Sequence, residues 1–118
     1  MSGQPETAYK VLTTDQMAAL LADGIFAGAP IDLADGYIHL STAAQLAETV
    51  SKHFAGQTGL HVAAVDLLQL GNAVRWETSR GGQLFPHIYG ALPISVVSAH
   101  GPLDFRGDGS IILPAAAA

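Results

Sequence analysis

Three short polar segments carry most of the side chains in this chain that could do chemistry. They are DGYIHLS at residues 35–41, RWE at 75–77 and FPHIYG at 85–90. Histidine can carry a proton, arginine can bind an anion, a carboxylate can accept a proton or stabilise a cation, and tyrosine offers a phenol and an aromatic face. An ordinary solvent-facing surface would instead be rich in Lys, Glu, Thr and Ser. We therefore expect these segments to line a cleft that binds a small ligand.

Each segment can be read as an extended strand in which alternate side chains point to opposite faces. Ile38 and Leu40 then enter a core, and Trp76 packs on the inner face of its own strand. The outer faces carry the polar and aromatic groups. These are Tyr37, His39 and Ser41 in the first segment, Arg75 and Glu77 in the second, and Phe85, His87 and Tyr89 in the third.

His39 ends a predicted strand just before the N-terminus of a predicted helix that begins around Ser41 and Thr42. Free backbone amides and the helix dipole favour a phosphate or carboxylate at such a place, and an imidazole can donate to a ribose hydroxyl or move a proton. The alternative is that Ser41 only caps the helix and that His39 is a core histidine with satisfied hydrogen bonds. We favour capping for Ser41 and a functional role for His39.

Glu77 can be explained by a simple charge network with Arg75, which is the usual reason for such pairs on one strand face. However, Trp76 on the opposite face would hold the strand rigidly, as a catalytic or ribose-binding carboxylate requires. Such a carboxylate could be a general base, accept a hydrogen bond from a hydroxyl or stabilise developing positive charge. The sequence leaves these roles open. In the third segment His87 is a candidate proton carrier, whereas packing could account for Tyr89.

Metal binding is an alternative, because the chain has five histidines. They are His39, His53, His61, His87 and His100. They lack the close spacing of the HExxH motif, so we expect no bound metal. The GxSxG, GxxxxGKS/T and GxGxxG motifs are also absent, which argues against a serine hydrolase, a phosphate-binding loop and a Rossmann domain.

The length of 118 residues predicts a single domain spanning 1–118, with flexible tails at 1–6 and 114–118. Apolar residues make up 49% of the chain and charged residues 13%, which argues against general disorder, and no apolar run is long enough to span a bilayer. The polar N-terminus lacks the features of a secretory signal, so we expect a cytoplasmic protein. The absence of cysteine excludes disulfides and cysteine-ligated metals.

The formal net charge is -5, and the five Lys and Arg residues are scattered along the chain. Affinity for nucleic acid comes mainly from neutralising phosphates, so this balance argues against a DNA- or RNA-binding protein. A local pocket could still hold one phosphate. The expected partner is a small-molecule nucleotide or another anionic ligand, and the oligomeric state is left open.

The first predicted elements are a strand at 9–12 and a helix at 16–22. Thr13 or Thr14 can cap this helix, and Gly24 ends it. The Gly, Pro and Asp residues at 25–36 then predict a loop with some apolar anchors.

A second strand is predicted at 37–40, and the capping box of Thr42 and Gln45 begins a second helix. Its predicted apolar stripe is Ala43, Leu46, Ala47, Val50 and Phe54. Later strands are predicted at 60–67, 73–78 and 94–99, with a turn through Gly71 and Asn72. Two early helices and several late strands favour an α+β fold with a mainly antiparallel or mixed sheet.

Taken together and in order, DGYIHLS, RWE and FPHIYG resemble family 952 of the domains of unknown function, which are small bacterial proteins. The resemblance runs from about Tyr9 to Val97. This family has been likened to the ADP-ribosyltransferase superfamily, whose compact α+β fold binds NAD in a cleft between sheets. The resemblance therefore implies an ADP-ribosyltransferase-like domain with NAD as a possible substrate.

In that superfamily a histidine on a strand contacts a ribose of NAD, an aromatic residue stacks near nicotinamide, and a glutamate orients a ribose hydroxyl in an oxocarbenium-like transition state. His39, Tyr89 and Glu77 are the candidates that the resemblance implies. Glu77 precedes the FPHIYG segment here, whereas the superfamily glutamate follows the aromatic motif. This departure leaves room for a phosphate-handling site made of His39, Arg75 and His87.

The leading hypothesis is a small enzyme, or an enzyme-like domain, that binds NAD or an ADP-ribosylated compound. Its predicted catalytic residues are Arg75, Glu77 and His87, and its predicted ligand-binding residues are Tyr37, His39, Ser41 and Tyr89. The alternatives are a non-catalytic binding module for a small anionic metabolite and a metal-dependent enzyme with several histidine ligands.

Overall fold

The computed structural model describes residues 5–114. The strands are β1 (Thr7–Leu12), β2 (Ile25–Phe26), β3 (Ile38–His39), β4 (His61–Asp66), β5 (Val74–Thr78), β6 (Leu84–Ile88), β7 (Leu92–Pro93), β8 (Val97–Pro102), β9 (Asp104–Phe105) and β10 (Ile111–Ile112). The helices are α1 (Thr14–Asp23), α2 (Pro30–Asp35), α3 (Ala43–His53) and the single turn α4 (Leu67–Leu70), with 3-10 turns at Gly71–Ala73, Arg80–Gly82 and Ile94–Val96.

The strand pairings within these residues are all antiparallel. There are two three-stranded sheets, in the orders β1-β4-β8 and β3-β6-β5, and two further strand pairs, β2 with β7 and β9 with β10. Helices and antiparallel strands in one compact unit give the α+β fold that the sequence predicts.

The two three-stranded sheets are joined where the chain leaves β3. The backbone N–H of Leu40 donates to the carbonyl of Pro86 at 3.0 Å, which continues the pairing with β6. The next residue, Ser41, exchanges two backbone hydrogen bonds of 2.8 and 2.9 Å with Tyr9 of β1. His39 therefore lies beside the junction of the two sheets.

The starts of the two longer helices follow the sequence prediction. Thr13 caps α1 and Thr42 caps α3, each in a capping box with the glutamine three residues later. Gly24 ends α1 in the left-handed conformation, at a φ of 75° that a side chain would strain.

The apolar stripe of α3 is narrower than predicted. Leu46 and Val50 are buried and Phe54 is partly buried, but Ala43 and Ala47 are exposed. Larger side chains cover the contact with the sheet, so the alanines on either side of it stay in solvent.

The prediction of a loop at 25–36 is wrong, because β2 and α2 lie there. Pro30 occupies the first position of α2, where its missing N–H costs no hydrogen bond. The side chain of Asp32 accepts from the backbone N–H of Ala29 at 2.8 Å, and Gly36 ends the helix with a φ of 88°. Proline near the start and glycine after the end are helix signals, although the same residues also favour turns.

Two later boundaries also differ from the prediction. The chain turns at Ile94–Val96 and only then enters β8, so the strand predicted at 94–99 begins later and runs to Pro102. After β4, the side chain of Asp66 accepts from the backbone N–H of Leu68 at 3.1 Å and caps α4. The predicted strand at 60–67 therefore ends in a helical turn.

The sheet β1-β4-β8 has apolar side chains on both faces. One face contributes to the main core, which also draws residues from α1, from β2 and from the second sheet. The other face packs under α3. The buried residues of that smaller cluster are Val11, Leu46, Val50, Leu60, Val62 and Ile111.

The tails predicted at 1–6 and 114–118 fall mostly outside the described residues. Within them, the carbonyl of Glu6 accepts from the backbone N–H of Leu67 at 2.9 Å, so the chain is already tied to the fold there. No helix within residues 5–114 is long and apolar enough to cross a membrane.

Candidate functional site

A row of three basic side chains crosses one face of the sheet β3-β6-β5. His39 is paired with His87, and His87 is paired with Arg75 on the following strand. Directly opposed residues of antiparallel strands point to the same face. The row therefore joins the three polar segments that the sequence singles out.

The opposite face of this sheet belongs to the main core. The neighbouring row consists of Ile38, Ile88 and Val74, of which the two isoleucines are buried, and Trp76 is partly buried against the same core. Slipping a strand by one residue would expose these apolar groups, so burial fixes the register of the basic row. The burial that the sequence predicts for Ile38 and Leu40 is confirmed.

His87 is held on two sides and is only 2% exposed. Its Nδ1 lies 2.8 Å from Oε1 of Glu77, and its ring stacks on Tyr37 with a centroid distance of 4.1 Å. If Nδ1 donates to the carboxylate, the neutral ring keeps a lone pair on Nε2. That nitrogen has no hydrogen-bond partner among the groups that the structure describes. This buried histidine therefore has one nitrogen oriented by a carboxylate and the other ready to accept a proton.

Glu77 also accepts from the Tyr89 hydroxyl, at 2.8 Å to Oε1 and 3.0 Å to Oε2. The hydrogen bond from His87, followed by that from Tyr89 and the charges of His87 and Arg75, lowers the pKa of Glu77. In return, the hydrogen bond to Glu77 is the main reason that the pKa of Tyr89 is raised. Glu77 is therefore ionised at neutral pH and uses both oxygens to hold aromatic neighbours in place.

Arg75 does not form the ion pair with Glu77 that the charge-network alternative predicts. Its guanidinium lies over the ring of Tyr89, with Cζ 4.6 Å from the ring centroid. Arg75 is exposed and has no hydrogen-bond or ion-pair partner among the residues that the structure describes. Its donors can therefore reach a ligand.

The buried carboxylate of Asp32 is a second centre of the site. It accepts from Lys10 Nζ at 2.9 and 3.2 Å, from the backbone N–H of Ala29 at 2.8 Å and from the backbone N–H of His39 at 3.0 Å. Burial alone would raise the pKa of Asp32, but the hydrogen bond from the His39 ring, the charge of Lys10 and the two backbone N–H groups together lower it well below its ordinary value.

The ring of His39 lies between two carboxylates. Its Nδ1 is 2.6 Å from Oδ1 of Asp32, and its Nε2 is 2.9 Å from Oδ2 of Asp35. Asp32 is buried, whereas the side chain of Asp35 is 45% exposed. The predicted contact between His39 and a ribose stays a prediction, and in this structure Asp35 occupies the nitrogen that would make it.

The sequence prediction did not name Lys10 or Asp32 as members of the site, and it included Asp35 only as the first residue of the DGYIHLS segment. A lysine inside the apolar strand YKVL is one signal, since a buried ammonium needs an anionic partner. The partner is 22 positions away along the chain, and the segment that holds it was predicted to be a loop. Local sequence patterns could not connect the two.

Tyr37 and Ser41 make different contacts in the site. The ring of Tyr37 lies near three other rings, with centroid distances of 4.8 Å to His39, 4.1 Å to His87 and 5.3 Å to Tyr89. Burial, and then the negative charges of the nearby carboxylates, raise the pKa of Tyr37. Ser41 is buried, and its Oγ lies 2.7 Å from Oγ1 of Thr49 in α3, while Thr42 caps that helix. The capping role favoured for Ser41 is therefore wrong.

A cavity of about 400 Å³ opens beside the row. His39, Ser41 and His87 are on its wall, together with Asp35 and Lys10. Arg75, Glu77, Tyr37 and Tyr89 do not line it, although they contact one another or His87 next to it. The remaining lining residues are Tyr9, Val11, Ile31, Leu40, Thr49, His53, Ser79 and Phe85. This volume is within the range of small-ligand pockets.

Of the five histidines, His39, His53 and His87 line the cavity, and the other two lie on the sheet β1-β4-β8. There, His61 pairs with Leu12, and His100 pairs with Ala63. Within residues 5–114 no group of three or more His, Asp or Glu side chains has the arrangement of a metal site.

Comparison with known proteins gives a family match and a fold match. The sequence profile of the family described as "Protein of unknown function (DUF952)" matches residues 11–100. This confirms the resemblance inferred from the three polar segments. Likeness to the ADP-ribosyltransferase superfamily stays a prediction. No curated protein matches the chain.

The chain is similar to protein CC0527 from Caulobacter crescentus. The X-ray crystal structure of that protein is 43% identical in sequence, with a TM-score of 0.81 over 90% of this chain and 93% of that chain. A crystal structure of a double mutant of it has a TM-score of 0.81 at 42% identity, over 90% and 93% of the two chains. The solution NMR structure has a TM-score of 0.77 at 43% identity and covers 91% of each chain.

Proposed function

This chain belongs to the DUF952 family of proteins of unknown function, and we propose that it is an enzyme that transfers or removes a ribosyl group of a nucleotide. The substrate would be NAD or an ADP-ribosylated compound bound in the cavity beside His39 and His87. The observation that carries this proposal is that His87, on the wall of that cavity, is paired with Glu77 next to it.

His87 has the arrangement of a general base. A carboxylate on Nδ1 fixes the ring orientation and its tautomer, which leaves the Nε2 lone pair to accept a proton. Its target would be a water or a hydroxyl group that attacks the anomeric carbon of the ribose. Glu77 acts through His87, so it is a positioning residue in this scheme.

Aromatic and charged groups around the row fit the other parts of such a ligand. Tyr37 and Tyr89 offer ring faces next to His87, and Arg75 offers guanidinium donors that suit a phosphate group. The negative charges of Asp35 and Glu77 favour a ribosyl group that becomes cationic as its bond breaks. The predicted cytoplasmic location fits a nucleotide ligand.

The non-catalytic module for an anionic metabolite is the second candidate. The observation that favours it is Arg75, an exposed cation without a hydrogen-bond partner among the described residues. Against it, Lys10 is already bound to Asp32, and Asp35 adds a negative charge to the cavity wall. We therefore prefer the enzyme.

The test is calorimetric binding of NAD and ADP-ribose, with chromatographic detection of nicotinamide and ADP-ribose release. In the His87→Gln variant we expect turnover to fall by about 10²- to 10⁴-fold, because the base is lost, while affinity for ADP-ribose changes much less. His100→Gln is the matched control, since His100 is an exposed histidine on the other sheet.

Failure of folded wild-type protein to bind either ligand would contradict the nucleotide proposal. Binding without turnover would instead support the non-catalytic module. Equal loss of turnover in His87→Gln and His100→Gln would show that His87 is not the base.

A further inference from the structure

His39 and His87 line the same cavity but have different hydrogen-bond arrangements. Their ring centroids are 5.3 Å apart. His87 has one nitrogen on a carboxylate, whereas both nitrogens of His39 are within hydrogen-bond distance of carboxylates. The contact at Nδ1 is a hydrogen bond, and the contact of Nε2 with Oδ2 of Asp35 is at the ion-pair distance of 2.9 Å. A carboxylate can only accept, so a hydrogen on Nε2 is the form of the ring that suits this contact. Asp35 therefore marks the place where Nε2 of His39 can meet an oxygen atom of a ligand.

The two carboxylates on His39 differ in how firmly they are held. Asp32 is buried and also binds Lys10, so it stays in place. Asp35 lies at the C-terminal end of α2, its side chain is nearly half exposed, and its carboxylate contacts Nε2 of His39. A ligand oxygen can replace Asp35 at this nitrogen at a small cost in free energy, because the displaced carboxylate can rotate into the solvent and be hydrated there.

We propose that His39 is a general acid, and that the substrate has its ribosyl group joined to an oxygen leaving group. This inference rests on the proposed function and narrows its substrate class. Asp32 orients the ring of His39 from the Nδ1 side. The Nε2 hydrogen then faces the leaving oxygen in the place that Asp35 occupies in this structure.

The reaction is a hydrolysis in which one proton leaves the water and one reaches the leaving group. The oxygen of a water molecule forms a bond to the anomeric carbon as Nε2 of His87 takes its proton. The bond between that carbon and the leaving oxygen breaks, the electron pair stays on the oxygen, and the oxygen takes the Nε2 proton of His39. Exchange of one proton with solvent by each histidine restores the starting state.

The need for an acid separates this substrate class from NAD. Nicotinamide leaves NAD as a neutral ring and needs no proton, whereas an alcohol must be protonated to be a good leaving group. A proton donor next to the base therefore speeds the cleavage of O-linked ADP-ribose and does not speed the cleavage of NAD.

Two synthetic substrates test the inference, one with ADP-ribose joined at its anomeric carbon to methanol and one with 4-nitrophenol in place of methanol. The nitrophenolate leaves without a proton, so it bypasses an acid but still needs the base. We expect His39→Gln to lose about 10²- to 10⁴-fold in turnover of the methyl substrate and far less with the nitrophenyl substrate. His87→Gln should slow both, and His100→Gln serves as the control.

An equal loss with both substrates in His39→Gln would overturn the assignment of His39 as the acid. Should that variant fail to fold, wild-type rates measured across a series of leaving groups give the answer. A weak dependence on leaving-group acidity supports the acid, and a steep dependence overturns it. If wild-type protein binds ADP-ribose but cleaves neither substrate, the assignment of His39 as an acid is wrong, but the proposal that the protein binds an ADP-ribosyl compound is not contradicted. Absence of ADP-ribose binding contradicts the proposed function itself.

Discussion

His39 and His87 are the same type of residue, but their hydrogen-bond and ion-pair neighbours distinguish them. Both rings are on one face of the sheet β3-β6-β5, and each has its Nδ1 on a carboxylate. The second nitrogen of His39 faces Asp35, whereas that of His87 has no hydrogen-bond partner in the described part of the structure. The acid and base roles that we propose for the two rings follow from this difference.

At this scale the role of Glu77 can be tested separately from that of His87. Glu77→Gln keeps the shape of the side chain but removes the negatively charged acceptor that orients the ring of His87. We expect turnover to fall by about 10²-fold while the affinity for ADP-ribose stays within a few fold. Nitrogen NMR of the histidine rings should show a loss of hydrogen from Nδ1 of His87.

Glu48→Gln is the matched control, because Glu48 is an exposed glutamate on α3. A weaker binding of ADP-ribose without any change in the His87 tautomer would contradict the positioning role of Glu77. It would point instead to direct contact between Glu77 and the ligand.

Helix α2 is fixed to both three-stranded sheets by the buried side chain of Asp32. Asp32 caps the start of α2 at Ala29, binds Lys10 of β1 and holds His39 of β3 through its backbone and its ring. A short helix of six residues has little stability of its own, so these contacts determine its position. The position of Asp35 beside His39 follows from them.

We expect Asp32→Asn to lower the free energy of unfolding by about 3–5 kcal/mol, because it leaves the ammonium of Lys10 buried without its counter-charge. Denaturation in urea gives this value directly. Asp35→Asn, which removes an exposed partner of the same histidine, should change the free energy by no more than about 1 kcal/mol. Similar small changes in both variants would contradict the anchoring role of Asp32.

The pH dependence of stability provides a second measurement on the same variant. The pKa of Asp32 is lowered in the folded protein, so its contribution is complete above the ordinary carboxyl pKa of about 4 and is lost progressively as the pH falls below it. The wild-type protein should therefore lose more stability than Asp32→Asn between about pH 5 and pH 2. Parallel curves for the two proteins would be inconsistent with an ionised, buried Asp32.

The candidate site consists of residues from separate parts of the chain. β1 supplies Lys10, α2 supplies Asp32, and three strands supply the basic row of His39, His87 and Arg75. After β3 the chain pairs with β6 at Leu40 and with β1 at Ser41, and this change of partner brings the two sheets together. Folding of both sheets is therefore a precondition for the site.

The whole molecule should fold and bind ligand without a metal ion. We expect treatment with EDTA to leave the melting temperature and the affinity for ADP-ribose unchanged, because the sequence has no compact metal motif. Differential scanning calorimetry and metal analysis of the purified protein make the measurement. A stoichiometric metal that resists dialysis, and whose removal lowers the melting temperature, would instead support the metal-dependent alternative.

Local sequence patterns were sufficient to predict the short-range features of this protein. Alternation with a period of two placed Ile38 and Leu40 in the core and His39 on the other face, because each strand must bury its apolar side. The capping boxes at Thr13 and Thr42 set the starts of α1 and α3 through contacts only three residues long. The resemblance to the family rested on motifs of this local kind.

Which of these short-range features come together depends on contacts between residues that are far apart in the chain. The register that aligns His39, His87 and Arg75 depends on strands that are far apart in sequence, and no local pattern specifies it. The same is true of Lys10 and Asp32, which are 22 positions apart and are stable in the interior only as a pair. Local preferences at 25–36 favoured a loop, but burial of Asp32 among donors from three elements made a helix the better solution.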